Sequence, residues 1–417
     1  MGYQRGLLCE KCGSAHSPSR MLYQCEKCGG FLKVIYDYPH SIGEDLRSEA
    51  DAKKGATIME RWKSVLPIDQ EELIDRVTLG EKETPLLKVP RLGEKLGLNR
   101  LFVKCEHLFP TASLKDRSMP LVVLKALEYG GDTVSIVSSG NAAASLSAYA
   151  AKAGLKTVIF VRGGASPSKL VKAAICGAIL VRVDGHLSQL NDIFIKMRDT
   201  YGWYDCDGGV NPYRCEGKKT CAYEIAAQMN WQVADWVIIP TSTGNGLVAA
   251  GIGFTELYDM GLISKKPRLV AVQLEACSPI YDAYLKGQDE ITPVVPTVSI
   301  SDTLLNGNPD AGKTVLHWIK ATGGTVAAVS DQEVLEAIRL LAEQTGVFQE
   351  AAGSVTVAAA KKLRANGVIN PAESVVCLVT GSGLNQQDLA VDITKLPPAV
   401  EPTQAAVEKY LKTLTAE

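Results

Sequence analysis

Residues 133–161 read TVSIVSSGNAAASLSAYAAKAGLKTVIFV, and the character of the chain changes twice within them. Val134 to Val137 is a short, β-branched run suited to a strand. Ala142 to Ala153 is alanine-rich and helix-prone, and Gly154 ends it. Thr157 to Val161 is a second β-branched run. Strand, helix and strand in this order predict a βαβ unit, whose two strands lie parallel with the helix packed across them. The alternation continues downstream. Ser168 to Cys176 reads as a helix ended by Gly177, Ile179 to Val183 as a strand and Leu187 to Tyr201 as a helix, while Arg100 to Lys104 is the first strand upstream. A second set of strands follows at Trp236 to Pro240, Leu269 to Gln273, Thr325 to Val329 and Val375 to Val379. Helices at Val248 to Met260, Asp331 to Gln344 and Ser354 to Asn366 separate them. The expected fold is α/β, with two doubly wound parallel-sheet lobes and a ligand cleft between them.

A chain of 417 residues exceeds what one core holds. The main body is expected at residues 81–400, with a small lobe over about 106–205 and a large lobe over 81–105 and 206–400. Residues 401–417 read as a C-terminal extension, following the proline-rich start at Pro397. Residues 37–80 read as a helical segment that docks what precedes it onto the body, with Trp62, Val65 and Leu66 as its apolar contacts. With 46% apolar and 22% charged residues and a net charge of -2, no field of one sign recruits nucleic acid or an anionic membrane. No run approaches the ~18 apolar residues of a membrane helix, and a cytoplasmic location is expected.

The first 36 residues carry four of the eleven cysteines, Cys9, Cys12, Cys25 and Cys28, spaced C-x2-C-x12-C-x2-C. Gly13, Gly29 and Gly30 follow the two pairs and permit tight knuckles. This pattern suits a zinc ribbon with tetrahedral thiolate ligation, which leaves no open position for a substrate. Its strands are expected at Met21 to Gln24 and Phe31 to Tyr36.

Two other stretches invite a chemical reading. His107 to Met119, HLFPTASLKDRSM, sets Lys115 at the entrance to an apolar helix from Met119 to Leu127. An amine desolvated there has a lowered pKa and condenses with an aldehyde, whereas local chemistry alone also allows an ordinary solvated lysine in a Lys-Asp-Arg triplet. Thr241 to Leu247, TSTGNGL, lies between a strand and a helix. Its small residues suit either a plain turn or an anion site at a helix N-terminus. Asn141 opens the helix of the first βαβ unit, where an N-cap is its simplest role.

The segment Pro110 to Arg117 resembles the PTGSFKDR motif of the threonine synthase family, with Ala112 for glycine and Leu114 for phenylalanine. Further motifs follow in the family's order. Ser138 to Ser145, SSGNAAAS, resembles STGNTAAS; Asn211 to Thr220, NPYRCEGKKT, resembles NPYRxEGQKT; Val379 to Leu384, VTGSGL, resembles VTGHGL. The resemblance implies the tryptophan synthase β-subunit-like fold, a pyridoxal 5'-phosphate cofactor on Lys115, and a homodimer. It further implies that Asn141 bonds the cofactor's 3-hydroxyl, Thr380 its ring nitrogen, and Thr243, Gly244, Asn245, Gly246 and Leu247 its phosphate. Ser138, Ser139, Asn211 and Arg214 are the implied sites for the phosphate of a phosphorylated amino acid.

The implied activity converts O-phospho-L-homoserine and water to L-threonine and phosphate, with Lys115 moving protons at Cα and Cβ. The chain departs from the family at Gly208, Gly209, Ser301 to Pro309 and Ser382, and its loop TSTGNGL replaces PVGNAGNI. A related reaction therefore stays open, β-replacement on O-phospho-L-serine with sulfite, as in the cysteate synthases. A third possibility is a non-catalytic zinc-ribbon interaction protein on an enzyme scaffold.

Overall fold

In the computed structural model, which describes residues 3–165, 167–185, 187–394 and 397–414, strand β1 (Gln4–Cys9) is the centre of an antiparallel sheet between β2 (Ala15–His16) and β3 (Leu32–Tyr36). The two C-x2-C turns close identically. Gly13 N–H donates to the Cys9 carbonyl at 3.0 Å and Gly29 N–H to the Cys25 carbonyl at 2.8 Å. Both glycines lie at φ 68°, a region that side chains disfavour. Met21 to Gln24, expected as a strand, is irregular, and β1 takes its place. The physical reason is docking: the Tyr23 hydroxyl donates to the Trp203 carbonyl at 3.3 Å and accepts from Asp205 N–H at 2.8 Å. Tyr36 reaches further into the body, where its hydroxyl bonds Glu216 and its ring lies 4.1 Å from the Lys219 ammonium.

The following segment forms helices Ile42–Ala52 and Ile58–Arg61, the second opened by a capping box between Thr57 and Glu60. Trp62, Val65 and Leu66, expected as its apolar contacts, are fully buried.

The body contains two sheets. Strands β4 (Leu86–Lys88) and β5 (Arg100–Cys105) belong to the larger sheet. The smaller one consists of β6 (Thr133–Val137), β7 (Lys156–Arg162), β8 (Ile179–Val183) and β9 (Tyr204–Asp205), in the order β8-β7-β6-β9 and all parallel. The larger sheet adds β10 (Trp236–Pro240), β11 (Arg268–Leu274), β12 (Thr325–Val329) and β13 (Ser374–Val379), in the order β12-β11-β10-β13-β5-β4. Its pairs are parallel except β4 against β5. Every residue of β13 is buried, as a parallel strand covered on both faces requires.

One long helix, Tyr213–Gln228, lies against helices Asn245–Asp259 and Met119–Glu128. Under it sits a charged cluster with no exposed side chain. Arg117 bonds Glu106 and Glu224, and Lys104 bonds Glu224 at 2.7 Å. Two cations and two carboxylates balance there, which is how buried charge is tolerated.

Residues as far as Asn385 form one compact unit, and residues from Gln386 form a second with helices Gln387–Thr394 and Gln404–Leu414. Among the described residues, no helix is long and apolar enough to cross a membrane.

Candidate active site

Lys115 lies on the short 3-10 turn Leu114–Arg117, which is pinned at both ends. Ser113 pairs with Gly381, and Leu114 N–H donates to the Thr380 carbonyl at 2.9 Å. Ala112, which stands where the resembled motif has glycine, is left-handed at φ 62°, and its carbonyl accepts from Ser382 N–H at 3.0 Å and Asn385 Nδ2 at 3.2 Å. The charged triplet is therefore not solvated. Asp116 accepts from Thr111 N–H, the Thr111 hydroxyl and the Ser145 hydroxyl at 2.5–2.6 Å, while Arg117 is committed to Glu106 and Glu224. Only Lys115 is left, and its amine has no hydrogen-bond or salt-bridge partner among the described residues. Burial, reinforced by the nearby Arg214 charge and opposed by Glu350, pulls its pKa down to about 8.

Lys115 opens on a cleft of about 360 Å³. Ser138, Ser139 and Asn141 line it at the carboxyl end of β6, Thr243 to Gly246 after β10, and Thr380 after β13. Ligands of open α/β sheets bind at these carboxyl ends. Gly244 has φ 97°, and a Cβ there would lie 2.6 Å from a Val315 methyl carbon, so this turn demands glycine. The helix after it begins at Asn245, three residues before the expected start, which brings its N-terminal amides to the cleft wall.

Two expected site residues lie elsewhere. Leu247 is wholly buried among core residues and does not line the cleft. Asn211 also lies outside it. Its Nδ2 donates to the Asp205 carbonyl at 2.9 Å and its Oδ1 accepts from Tyr213 N–H at 3.0 Å, so it shapes the start of the Tyr213–Gln228 helix. Arg214, one turn of chain later, does line the cleft, deeply buried. Among the described residues its Nη1 meets only the Met119 sulfur, at 2.7 Å, and its Nε has no partner.

Asn141 is the first residue of its helix; Gly140 is the cap, and the Asn141 side chain is turned into the cleft instead. Asn141 Nδ2 donates to both oxygens of Glu350 at 3.1 Å, and its Oδ1 accepts from Asn385 Nδ2 at 3.2 Å. Glu350 was not expected. Burial raises its pKa, offset by the Asn141 bond and the Lys115 charge. Its sequence signal lies in the glycines around it: a Cβ on Gly381 would lie 2.2 Å from Glu350 Oε1. Lys218, Asp207, Arg162 and the Lys169–Asp302 ion pair complete the polar wall and were also unforeseen.

These groups fit a cofactor with an aldehyde and a phosphate: an unpartnered amine, an unpartnered guanidinium N–H, a glycine-shaped helix N-terminus, and a Thr380 hydroxyl without a partner among the described residues. The cysteine cluster fits a metal by the same test. The four sulfurs lie within 4.8 Å of one another, with Cys9–Cys28 at 3.5 Å and Cys12–Cys25 at 3.6 Å. Tetrahedral zinc with ~2.3 Å bonds sets sulfur–sulfur edges of about 3.8 Å.

Residues 77–381 match the profile of the pyridoxal-phosphate dependent enzymes, and the chain belongs to that family. It is 35% identical over 407 residues to the threonine synthase of Methanocaldococcus jannaschii, covering 97% of this chain and 99% of that protein. It is 34% identical over 406 residues to the threonine synthase of Methanosarcina acetivorans, covering 97% and 98%. The protein is thus an enzyme of the threonine synthase type. Maize serine racemase, 18% identical, superposes with a TM-score of 0.67 over 84% of this chain and 99% of its own, which shows the shared fold.

Proposed function

We propose that the protein converts O-phospho-L-homoserine and water to L-threonine and phosphate. The observation that carries this reading is Lys115, an amine of lowered pKa without a partner among the described residues, in a cleft that also presents Arg214, which forms no salt bridge among them. The names of the relatives matched over nearly the whole chain support the choice of reaction.

Pyridoxal phosphate, when bound, supplies an aldehyde that captures amines and a conjugated ring that takes up electron pairs from adjacent carbons. Lys115 would hold it through its amine, and the same amine, when free, would take the proton from Cα and move protons at Cβ and Cγ. Its lowered pKa keeps a useful fraction of that amine neutral. Thr243 to Gly246 would receive the cofactor's phosphate, Asn141 its 3-oxygen and Thr380 its ring nitrogen. Arg214, with Ser138 and Ser139, receives the phosphate of the substrate. In the net reaction the Cγ–O bond breaks and phosphate departs with the electron pair. The proton taken from Cα returns to it, Cβ loses one proton and gains the hydroxyl of water, Cγ gains one proton, and the remaining proton of water leaves with phosphate. Cys9, Cys12, Cys25 and Cys28 hold a structural zinc that fixes the ribbon against the helix bearing Arg214.

Two departures from the family motifs lie against the ends of side chains. A Cβ on Gly208 would lie 2.6 Å from Asn245 Nδ2, and one on Gly209 would lie 2.8 Å from Asp310 Oδ2. The test is product identification from purified, yellow protein given O-phosphohomoserine, or O-phosphoserine with and without sulfite. Threonine from the first is expected. Sulfite-dependent cysteate without threonine would replace the reading with the cysteate synthase reaction, and a colourless protein that takes up no added cofactor would replace it with a binding role.

A further inference from the structure

Lys218 stands one helical turn after Arg214 on the Tyr213–Gln228 helix, in the position where the resembled NPYRxEGQKT motif has glutamine. It is 7% exposed and Arg214 is 3% exposed, and both line the cleft that holds Lys115. Neighbouring buried cations on this helix and beneath it all have counter-charges: Lys219 pairs with Glu216 and Glu256, and Lys104 and Arg117 pair with Glu224. Lys218 forms no hydrogen bond and no salt bridge among the described residues. Asp207, the carboxylate nearest in charge terms to both cations, pairs with neither, and its Oδ1 accepts from Gly209 N–H at 2.7 Å.

Burial, then the charges of Arg214 and Lys115, push the Lys218 pKa well below the ordinary lysine range. Such an arrangement costs stability unless an anion arrives. Gly246, at the N-terminus of the Asn245–Asp259 helix, lines the same cleft and also borders a smaller cavity with Lys218. Two adjacent cations and helix N-terminal amides are the donor set for a phosphate dianion.

We propose that Lys218 and Arg214 form a two-cation clamp for a phosphate monoester dianion, with Lys218 as a binding residue additional to those named above. This deepens the proposed function and rests on it for the source of the phosphate: the substrate's, as given to Arg214 above, or the cofactor's, which would reassign Arg214. The structure shares the chemistry between them.

The experiment compares wild type, K218M, K218Q and K218R as purified, cofactor-loaded proteins, with visible absorbance as the check on folding and loading. Inorganic phosphate is titrated by calorimetry and by its effect on melting temperature. If the substrate's phosphate is the ligand, wild type binds inorganic phosphate and melts at higher temperature in its presence. K218M and K218Q then bind it at least about tenfold more weakly, while K218R retains most of the affinity. If the cofactor's phosphate is the ligand, inorganic phosphate binding stays unchanged. Cofactor dissociation on dilution is then at least about tenfold faster in K218M and K218Q, and near wild type in K218R. Unchanged phosphate binding together with unchanged cofactor retention overturns the proposal. Neither readout needs turnover, so a failure to make threonine leaves this test intact.

Discussion

The lowered pKa of Lys115 makes a prediction with three signs. A lysine amine reacts with an aldehyde in its neutral form. At a pKa of about 8, about one molecule in ten is neutral at pH 7, against roughly one in 3,000 for an ordinary lysine, an advantage of about 300-fold. In protein stripped of cofactor, the rate of capture of pyridoxal, followed by visible absorbance, is expected to rise with pH and level off above about 8. Pyridoxal is the probe because it carries no phosphate, so changing a cation of the cleft alters the rate through the lysine amine and not through phosphate binding. Arg214 disfavours the charged amine and Glu350 favours it. R214M is therefore expected to move the midpoint upward, and E350Q to move it downward. A midpoint near 10 in the wild-type protein, or shifts of the opposite sign in the variants, would refute the electrostatic account of the site.

Further expectations concern single residues. Lys115→Ala loses the visible absorbance of the loaded enzyme, whereas Arg214→Ala keeps it and raises KM for phosphorylated substrate, as spectra and steady-state kinetics would show. Glu224→Gln leaves Arg117 and Lys104 short of a counter-charge in a fully buried site, and urea unfolding is expected to report a loss of about 3–5 kcal/mol. Gly208→Ala forces Asn245 aside and is expected to weaken cofactor or substrate binding while leaving the fold intact by circular dichroism. Removing zinc with a chelator, or changing Cys9 and Cys25 to Ser, is expected to lower the melting temperature. Because Tyr36 bonds Glu216 beside Arg214, KM should rise as well; a change in stability with no change in KM would confine the ribbon to a structural role.

The strands were legible because parallel strands covered on both faces are continuous β-branched runs. Trp236–Pro240 and Thr325–Val329 fall where the sequence placed them, and so does Ile179–Val183, a partly exposed edge strand. The Tyr213–Gln228 helix carried no such signal. Nearly all of its residues are buried, including Glu216, Lys218, Lys219 and Glu224, so charges occupy core positions and the apolar period disappears. Met21 to Gln24 misled for a related reason: its apolar residues and Tyr23 serve docking contacts and not a ladder. Within the site, Lys115, Asn141, Arg214 and Thr380 were marked by short motifs and do line one cleft. Glu350 was not, because its partner Asn141 lies far away in sequence and only the folded chain brings the two together. Leu247 and Asn211 belong to the right segments but point into the structure, a distinction that motif matching does not make.

The most direct test of the central claim is turnover of O-phospho-L-homoserine in water enriched in heavy oxygen. Breaking the Cγ–O bond and adding water at Cβ predicts label in the threonine hydroxyl and none in the released phosphate. Label in the phosphate, with homoserine as the product, would mean attack at phosphorus and would contradict the roles given to Lys115 and the cleft around it.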